Sequence, residues 1–99
     1  MSYQIRYTDE AIEDFDRLYD FLIAYDLNLA DRAYSEIKEA IKLLEQFPFS
    51  FRKAAGGNPL LRELLVPFGA SGYIVLFRID DSDTVTVAAI RHQREDDYH

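Results

Sequence analysis

The chain has 99 residues, a net charge of −7, 48% hydrophobic residues and no cysteine. This length corresponds to one domain, and the apolar content is too high for a disordered chain. The lack of cysteine excludes disulfides and thiolate metal sites and suits a cytoplasmic protein. No run approaches about 18 consecutive apolar residues, so the sequence predicts no membrane span.

The charge is unevenly distributed along the chain. Residues 1–50 hold 11 acidic and 5 basic groups, whereas residues 51–99 hold 7 acidic and 6 basic groups. Proteins bind the phosphate backbone mainly through lysine and arginine, so an isoelectric point near 4.6 argues against strong direct binding to nucleic acid. A local contact by the second half of the chain stays open.

The first half of the chain predicts one strand and then two helices. Apolar and polar side chains alternate in the strand, and Thr8 or Asp9 can cap the helix after it. In the first helix the apolar residues cover an arc of roughly 200°, although a surface helix needs only about 100°. These elements are a strand at 3–8, a helix at 10–25, a turn at 26–28, and a helix at 29–47 that Asn28 caps and Pro48 stops.

The second half predicts strands separated by turns. One long loop is predicted at 47–59, and its Phe47, Phe49 and Phe51 are expected to close the core, although exposure of Phe49 or Phe51 would mark an interface. Further along, glycine, asparagine and aspartate lie between the apolar runs, where they predict turns. The strands lie at 60–68, 71–79 and 84–90, with turns at 69–72 and 80–83 and a polar, partly disordered tail at 91–99.

This order predicts a single α+β domain, βααβββ, in which a four-stranded, mainly antiparallel sheet packs on an α-helical hairpin. The hairpin can cover only one face of the sheet, yet both faces of residues 73–77 are apolar. Either the sheet curls around its own core or a partner covers its second face. The wide apolar arc of the first helix favours a partner.

The chain resembles the ParE/RelE toxin superfamily of bacterial type II toxin–antitoxin systems over nearly its whole length. The resemblance is based on the element order, on Leu61-Arg62-Glu63-Leu64 and on two later segments. These are residues 71–80, and residues 85–90 followed by Arg91-His92-Gln93-Arg94-Glu95, with Tyr98 after them.

The superfamily has two branches with different mechanisms. RelE-like members are ribosome-dependent mRNA endonucleases, which need clustered cations around the reacting phosphate. They commonly have an arginine where this chain has Ile74, and lysines in the strand that here contains only Arg62. The resemblance therefore implies the ParE-like branch of plasmid-stabilisation toxins, which inhibit DNA gyrase by protein contact without enzymatic activity, cofactor or metal.

Two alternatives remain beside the gyrase inhibitor. One is a RelE-like, ribosome-dependent mRNA endoribonuclease, in which His92 would serve as general acid and Tyr98 as the late tyrosine. The other is a non-toxic binding or dimerisation module with the same fold.

The candidate target-binding residues are basic residues in the second half of the chain. Arg91, His92 and Arg94 are expected at a strand end beside Arg62 and Arg78. The alternative is a solvated strand end that offsets the acidic helices. For Arg78 the alternative is an ion pair with a nearby carboxylate, for which the candidates are Asp80, Glu63 or a carboxylate on a helix.

The resemblance also implies a cognate antitoxin, ParD-like or similar, and therefore a hetero-oligomer. The antitoxin is expected to lay an amphipathic segment across the hairpin and sheet. Its candidate contacts are residues that look apolar in excess of what the core needs: Tyr19, Leu22, Ile23, Leu65 and Phe77.

Overall fold

The computed structural model describes residues 2–95, which form a sheet packed on a helical hairpin. The strands run in the order β1-β5-β4-β3-β2 across the sheet. β1 is parallel to β5, and the other neighbours are antiparallel. The elements are β1 (Gln4–Tyr7), α1 (Asp9–Ile23), α2 (Leu27–Lys42), short 3₁₀ helices at Leu43–Glu45 and Pro48–Ser50, β2 (Arg52–Lys53), β3 (Leu61–Phe68), β4 (Ser71–Ile79) and β5 (Thr84–His92).

The α+β prediction with a helical hairpin is confirmed, but this sheet has five strands and not four. The additional strand is β2, which has only two residues and pairs with Arg62 and Glu63. A segment this short has no alternation that a sequence pattern could reveal.

The helix ends follow from their caps. Thr8 accepts a hydrogen bond from the Ala11 N–H, which confirms the predicted cap of α1. At the start of α2 the cap is Asp26, which accepts bonds from the N–H groups of Asn28 and Leu29, so the prediction of Asn28 was wrong. α2 ends at Lys42, and Pro48 begins a 3₁₀ turn, where its missing N–H costs nothing.

The core lies between the helices and one face of the sheet. Alternate residues of β4 face the helices, among them Tyr73, Val75 and Phe77. Phe77 is fully buried, so the structure excludes it as an antitoxin contact. The opposite face of the sheet carries Leu65, which is 43% exposed.

The β3–β4 hairpin requires glycine at position 72. Gly72 pairs with Pro67, and a Cβ atom at position 72 would lie 2.3 Å from the Val66 carbonyl oxygen. Because that atom belongs to the backbone of the neighbouring strand, a side chain here would force the strands apart.

β5 is longer than predicted and reaches His92. Arg91 and His92 therefore lie in a strand, and the expected tail does not begin at Arg91. A bulge at Ala88 interrupts the pairing with β4. Tyr98 lies outside the described residues. Within residues 2–95, neither helix is long and apolar enough to cross a membrane.

Candidate functional site

The predicted target-binding cations lie in two separate places. His92 pairs with Tyr73, whereas Arg78 pairs with Thr86 and Leu61 at the other end of β4. Tyr73 and Arg78 are five positions apart in the same strand, which corresponds to about 17 Å. The expectation that Arg62 and Arg78 lie beside the Arg91-to-Arg94 segment was therefore wrong.

Arg62 holds the loop that precedes β3. Its guanidinium donates hydrogen bonds to the carbonyls of Pro59, Phe49 and Phe51, at 3.0, 3.2 and 2.9 Å. It also lies 5.2 Å from the centre of the Phe49 ring. With its donors directed at the chain's own backbone, Arg62 acts as a clamp within the fold. Phe47 and Phe49 are exposed here, so the expectation that all three phenylalanines close the core was wrong.

Arg78 and Arg91 are also engaged within the fold. Arg78 forms an ion pair with Asp80, as one of the alternatives for it predicted. The hydrogen bonds of Asp80 with Thr86 and Arg78 lower the pKa of that carboxyl. Arg91 donates to the backbone carbonyl of Glu95 at 2.6 Å.

His92 and Arg94 lie together at the end of β5. The Arg94 N–H donates to His92 Nδ1 at 3.1 Å, so the ring proton resides on Nε2, which is 3.0 Å from the Ser71 hydroxyl. The His92 and Tyr73 rings pack nearly perpendicular to each other, with their centres 5.4 Å apart. The Arg94 guanidinium makes no hydrogen bond or ion pair to any residue in 2–95 and is exposed.

These two residues border a groove of about 690 Å³ between α1 and the sheet. Its floor is mainly apolar, and its rim carries arginine, histidine and one carboxylate. The groove is about as large as a small-molecule site and open enough to take several side chains of a protein partner. Its lining residues are Arg17, Leu18, Phe21, Leu22, Phe68, Tyr73, His92, Arg94 and Glu95.

The carboxylate on the rim is integrated into the wall of the groove. Glu95 accepts hydrogen bonds from the His92 N–H at 3.0 Å and from Arg17 at 3.1 Å. Burial opposes ionisation of Glu95, but these bonds outweigh it, and the pKa of this carboxyl lies below its ordinary value. On the floor, burial raises the pKa of Tyr73, so this phenol stays protonated at neutral pH.

The five predicted antitoxin contacts do not form one surface. Leu22 lines the groove, and Ile23 is 40% exposed at the end of α1. Tyr19 faces α2, where its hydroxyl donates to Asp31 at 2.6 Å, a bond that raises the pKa of Tyr19. Leu65 lies on the face of the sheet that the helices do not cover, and Phe77 is in the core.

Sequence reasoning missed several residues of the groove. Phe21 is 62% exposed and follows Arg17 by four positions, so the two share one helix face with Leu18. This spacing was a usable signal, because Phe21 belongs to the over-wide apolar arc of the first helix. The contribution of Phe68 could not be found in this way, since it depends on long-range packing.

A family model described as the ParE toxin of the type II toxin–antitoxin system parDE matches residues 5–97. A relative named Toxin RelE1, from Caulobacter vibrioides, is 30% identical over 95 residues, which cover 96% of this chain and 98% of the relative.

Solved structures share the fold. The chromosomal ParDE TA system from P. aeruginosa contains a chain that matches with a TM-score of 0.72 and 21% identity, over 92% of this chain and 96% of that one. The toxin–antitoxin complex RelBE2 from Mycobacterium tuberculosis matches with a TM-score of 0.61 and 21% identity, over 94% and 100%.

Proposed function

Because this chain belongs to the ParE toxin family of type II toxin–antitoxin systems, we propose that it arrests growth by binding DNA gyrase. In this proposal the groove between α1 and the sheet receives a segment of gyrase, and a cognate antitoxin prevents that contact. No bond is made or broken in the target. This target would place the protein in the cytoplasm.

The observation that carries the proposal is the composition of the groove. Its floor is formed by aliphatic and aromatic side chains, including Leu18, Phe68 and Tyr73, and the exposed Phe21 lies at its mouth. Buried aromatic pockets with an arginine at the rim are typical of the sites that dominate protein–protein binding. Arg94 is the arginine at the rim of this groove, and its guanidinium forms no hydrogen bond or ion pair with any other residue in 2–95.

The cations also argue against phosphate chemistry. Cleavage at a ribose 2′-OH needs several cations directed at the developing charge on the phosphate. Here Arg17 pairs with Glu95, Arg62 binds backbone carbonyls, and Arg78 pairs with Asp80. Each of these arginines is engaged by a partner within the fold, and Arg62 and Arg78 lie far from the groove.

A ribosome-dependent RNase is the second candidate, because one observation favours it. His92, Arg94 and Tyr73 line the same groove, which is a minimal set for proton transfer and phosphate binding. Both ring nitrogens of His92 are engaged, however, and the raised pKa of Tyr73 makes it a poor base. These features rank the RNase below the gyrase inhibitor.

Parallel assays with purified protein test the proposal. We expect inhibition of gyrase supercoiling and intact mRNA in a translation reaction. Phe21→Ala and Arg94→Ala should each weaken inhibition about tenfold or more, as is usual for residues that dominate an interface. Their matched controls are Ile12→Ala, an exposed change elsewhere on α1, and Arg6→Ala, an exposed arginine of β1; both should inhibit like the wild type.

The other outcomes are equally informative. Codon-dependent cleavage of mRNA that Arg94→Ala abolishes would replace the gyrase proposal with the RNase. Folded protein that affects neither gyrase nor mRNA would indicate a non-toxic binding module.

We further propose that the antitoxin covers the apolar end of α1. Ile23 and Tyr25 are exposed there. The centre of the Tyr25 ring lies 5.4 Å from the centre of the Phe21 ring, which is at the mouth of the groove. A segment bound here would block access to the groove. The test is co-purification with the product of the adjacent reading frame: Ile23→Glu should abolish the complex, and Ile12→Glu should retain it. Equal retention by both variants would contradict this location.

A further inference from the structure

The edge of β5 continues beyond the end of its neighbour β1. β1 ends at Tyr7, opposite Val87, whereas β5 runs five residues further, to His92. The bulge at Ala88 lies at this junction. Backbone N–H and C=O groups on such an edge need partners, because unpaired groups in a packed region are costly. No strand supplies these partners on this side within residues 2–95.

Side chains take the place of the missing strand. The Thr8 hydroxyl donates to the Ala88 carbonyl at 3.0 Å, and Asp14 accepts a hydrogen bond from the Ile90 N–H at 2.8 Å. Arg17 lies 3.5 Å from the Ile90 carbonyl oxygen. These groups of β5 are therefore satisfied by side chains at the beginning of and along α1.

Asp14 is the unusual member of this set. Its side chain is 8% exposed, whereas the other acidic residues of α1 are on the solvent face. Burying a carboxylate is costly unless it is paired and hydrogen-bonded. Asp14 meets both conditions, since it also lies 3.6 Å from Arg17.

The set continues into the wall of the groove. Arg17 pairs with Glu95, and Glu95 accepts the His92 N–H. The turn at residues 92–95 is therefore attached to α1 through a continuous series of bonds. His92 and Arg94 lie on this turn and border the groove.

We propose that Asp14 and Arg17 are positioning residues, which replace a strand along β5 and thereby direct His92 and Arg94 at the groove. This role deepens the proposed function, on which it depends for its consequence in gyrase binding. Neither residue needs to contact gyrase to control inhibition.

Hydrogen exchange measured by NMR tests the structural step, with Asp14→Ala, Asp14→Asn and the exposed control Asp16→Ala. Alanine leaves the Ile90 N–H without an acceptor, so the Ile90 and His92 amides should exchange about tenfold faster or more. Asparagine retains an acceptor oxygen and should restore slow exchange to within about threefold. The Val75 amide, in the centre of the sheet, should be unchanged in every variant.

Gyrase inhibition tests the functional step in the same variants. Asp14→Ala should lose inhibition about tenfold, while Asp14→Asn and Asp16→Ala should stay within about threefold of the wild type. Restoration by asparagine separates positioning from a general loss of stability.

Three results would overturn the proposal. The first is unchanged exchange at Ile90 in Asp14→Ala, the second is faster exchange with full inhibition, and the third is no restoration by asparagine. If Asp14→Ala does not fold, Glu95→Ala supplies the same two measurements, with His92 as the reporting amide and Glu95→Gln as the variant that retains the acceptor. If wild-type protein does not inhibit gyrase, the proposed function fails, whereas the exchange data still decide whether α1 replaces a strand.

Discussion

Phe77 and Leu65 lie on neighbouring strands but face opposite sides of the sheet. Phe77 is enclosed by the core. The Phe51 ring packs nearly perpendicular to that of Phe77, with the ring centres 6.2 Å apart. Truncating such a side chain removes its burial and leaves a cavity. We therefore expect Phe77→Ala to lower the free energy of unfolding by about 3–5 kcal/mol.

Leu65→Ala is the control for this prediction, since it removes an apolar side chain that is largely in water. It should lower the free energy of unfolding by less than about 1 kcal/mol. Urea denaturation followed by circular dichroism measures both values. Similar losses in the two variants would contradict the placement of Phe77 in the core and of Leu65 at the surface.

Gly72 permits a second prediction at a single residue. Gly72→Ala places a methyl group against the Val66 carbonyl oxygen, so β3 and β4 must separate locally. Overpacking of this kind typically lowers the free energy of unfolding by about 1–3 kcal/mol. Amide chemical shifts should change along both strands. Ala70→Ser, an exposed substitution in the same turn, should have almost no effect; equal effects of the two would show that the strands are not closely apposed here.

At the level of elements, Arg62 connects β3 to the loop before it. Arg62→Met keeps much of the side-chain length but loses the hydrogen bonds to three carbonyls. Hydrogen bonds to charged groups contribute about 1.5–3 kcal/mol, so we expect a loss of that size and faster proteolysis between residues 49 and 59.

Arg52→Met is the matched control for the Arg62 prediction. Arg52 forms an ion pair with Glu63 on the neighbouring strand, but its side chain is half exposed. Exposed pairs contribute about 0–1 kcal/mol, so proteolysis and urea denaturation should change little. If Arg62→Met is no more sensitive than Arg52→Met, the clamp does not stabilise the loop.

Sequence patterns predicted the elements well where the signal was local. The strand at 71–79, an apolar run between two turns, and the cap at Thr8 both depend on neighbours in the chain, and the structure confirms them. The parallel pairing of β1 with β5 and the clamp by Arg62 join distant segments, and neither follows from periodicity. The groove has the same origin, because α1, β3 and β5 meet there only after the sheet has formed.

For the whole molecule, the lowered pKa values of Asp80 and Glu95 predict a loss of stability in acid. A carboxyl whose pKa is lower in the folded state contributes stability above its unfolded pKa and loses it as the pH falls through the folded pKa. The ordinary values are 3.8 and 4.5, so this contribution should be complete above them and decline below.

The measurement is the free energy of unfolding between about pH 6 and about pH 3. A variant with both Asp80→Asn and Glu95→Gln should be less stable than the wild type at the upper end. The difference should shrink towards the lower end, as the wild-type carboxyls become protonated. A difference that does not depend on pH would exclude these two groups as its cause.

The position of β5 between β1 and β4 has a consequence for synthesis. This strand is translated after the other four but lies between two of them, so β1 and β4 cannot be joined until Thr84–His92 leaves the ribosome. A nascent chain released earlier lacks the middle of its sheet and the wall of the groove formed by His92, Arg94 and Glu95. Completion of the groove therefore waits for translation of this strand, and a chain terminated before Thr84 is expected to lack the proposed activity.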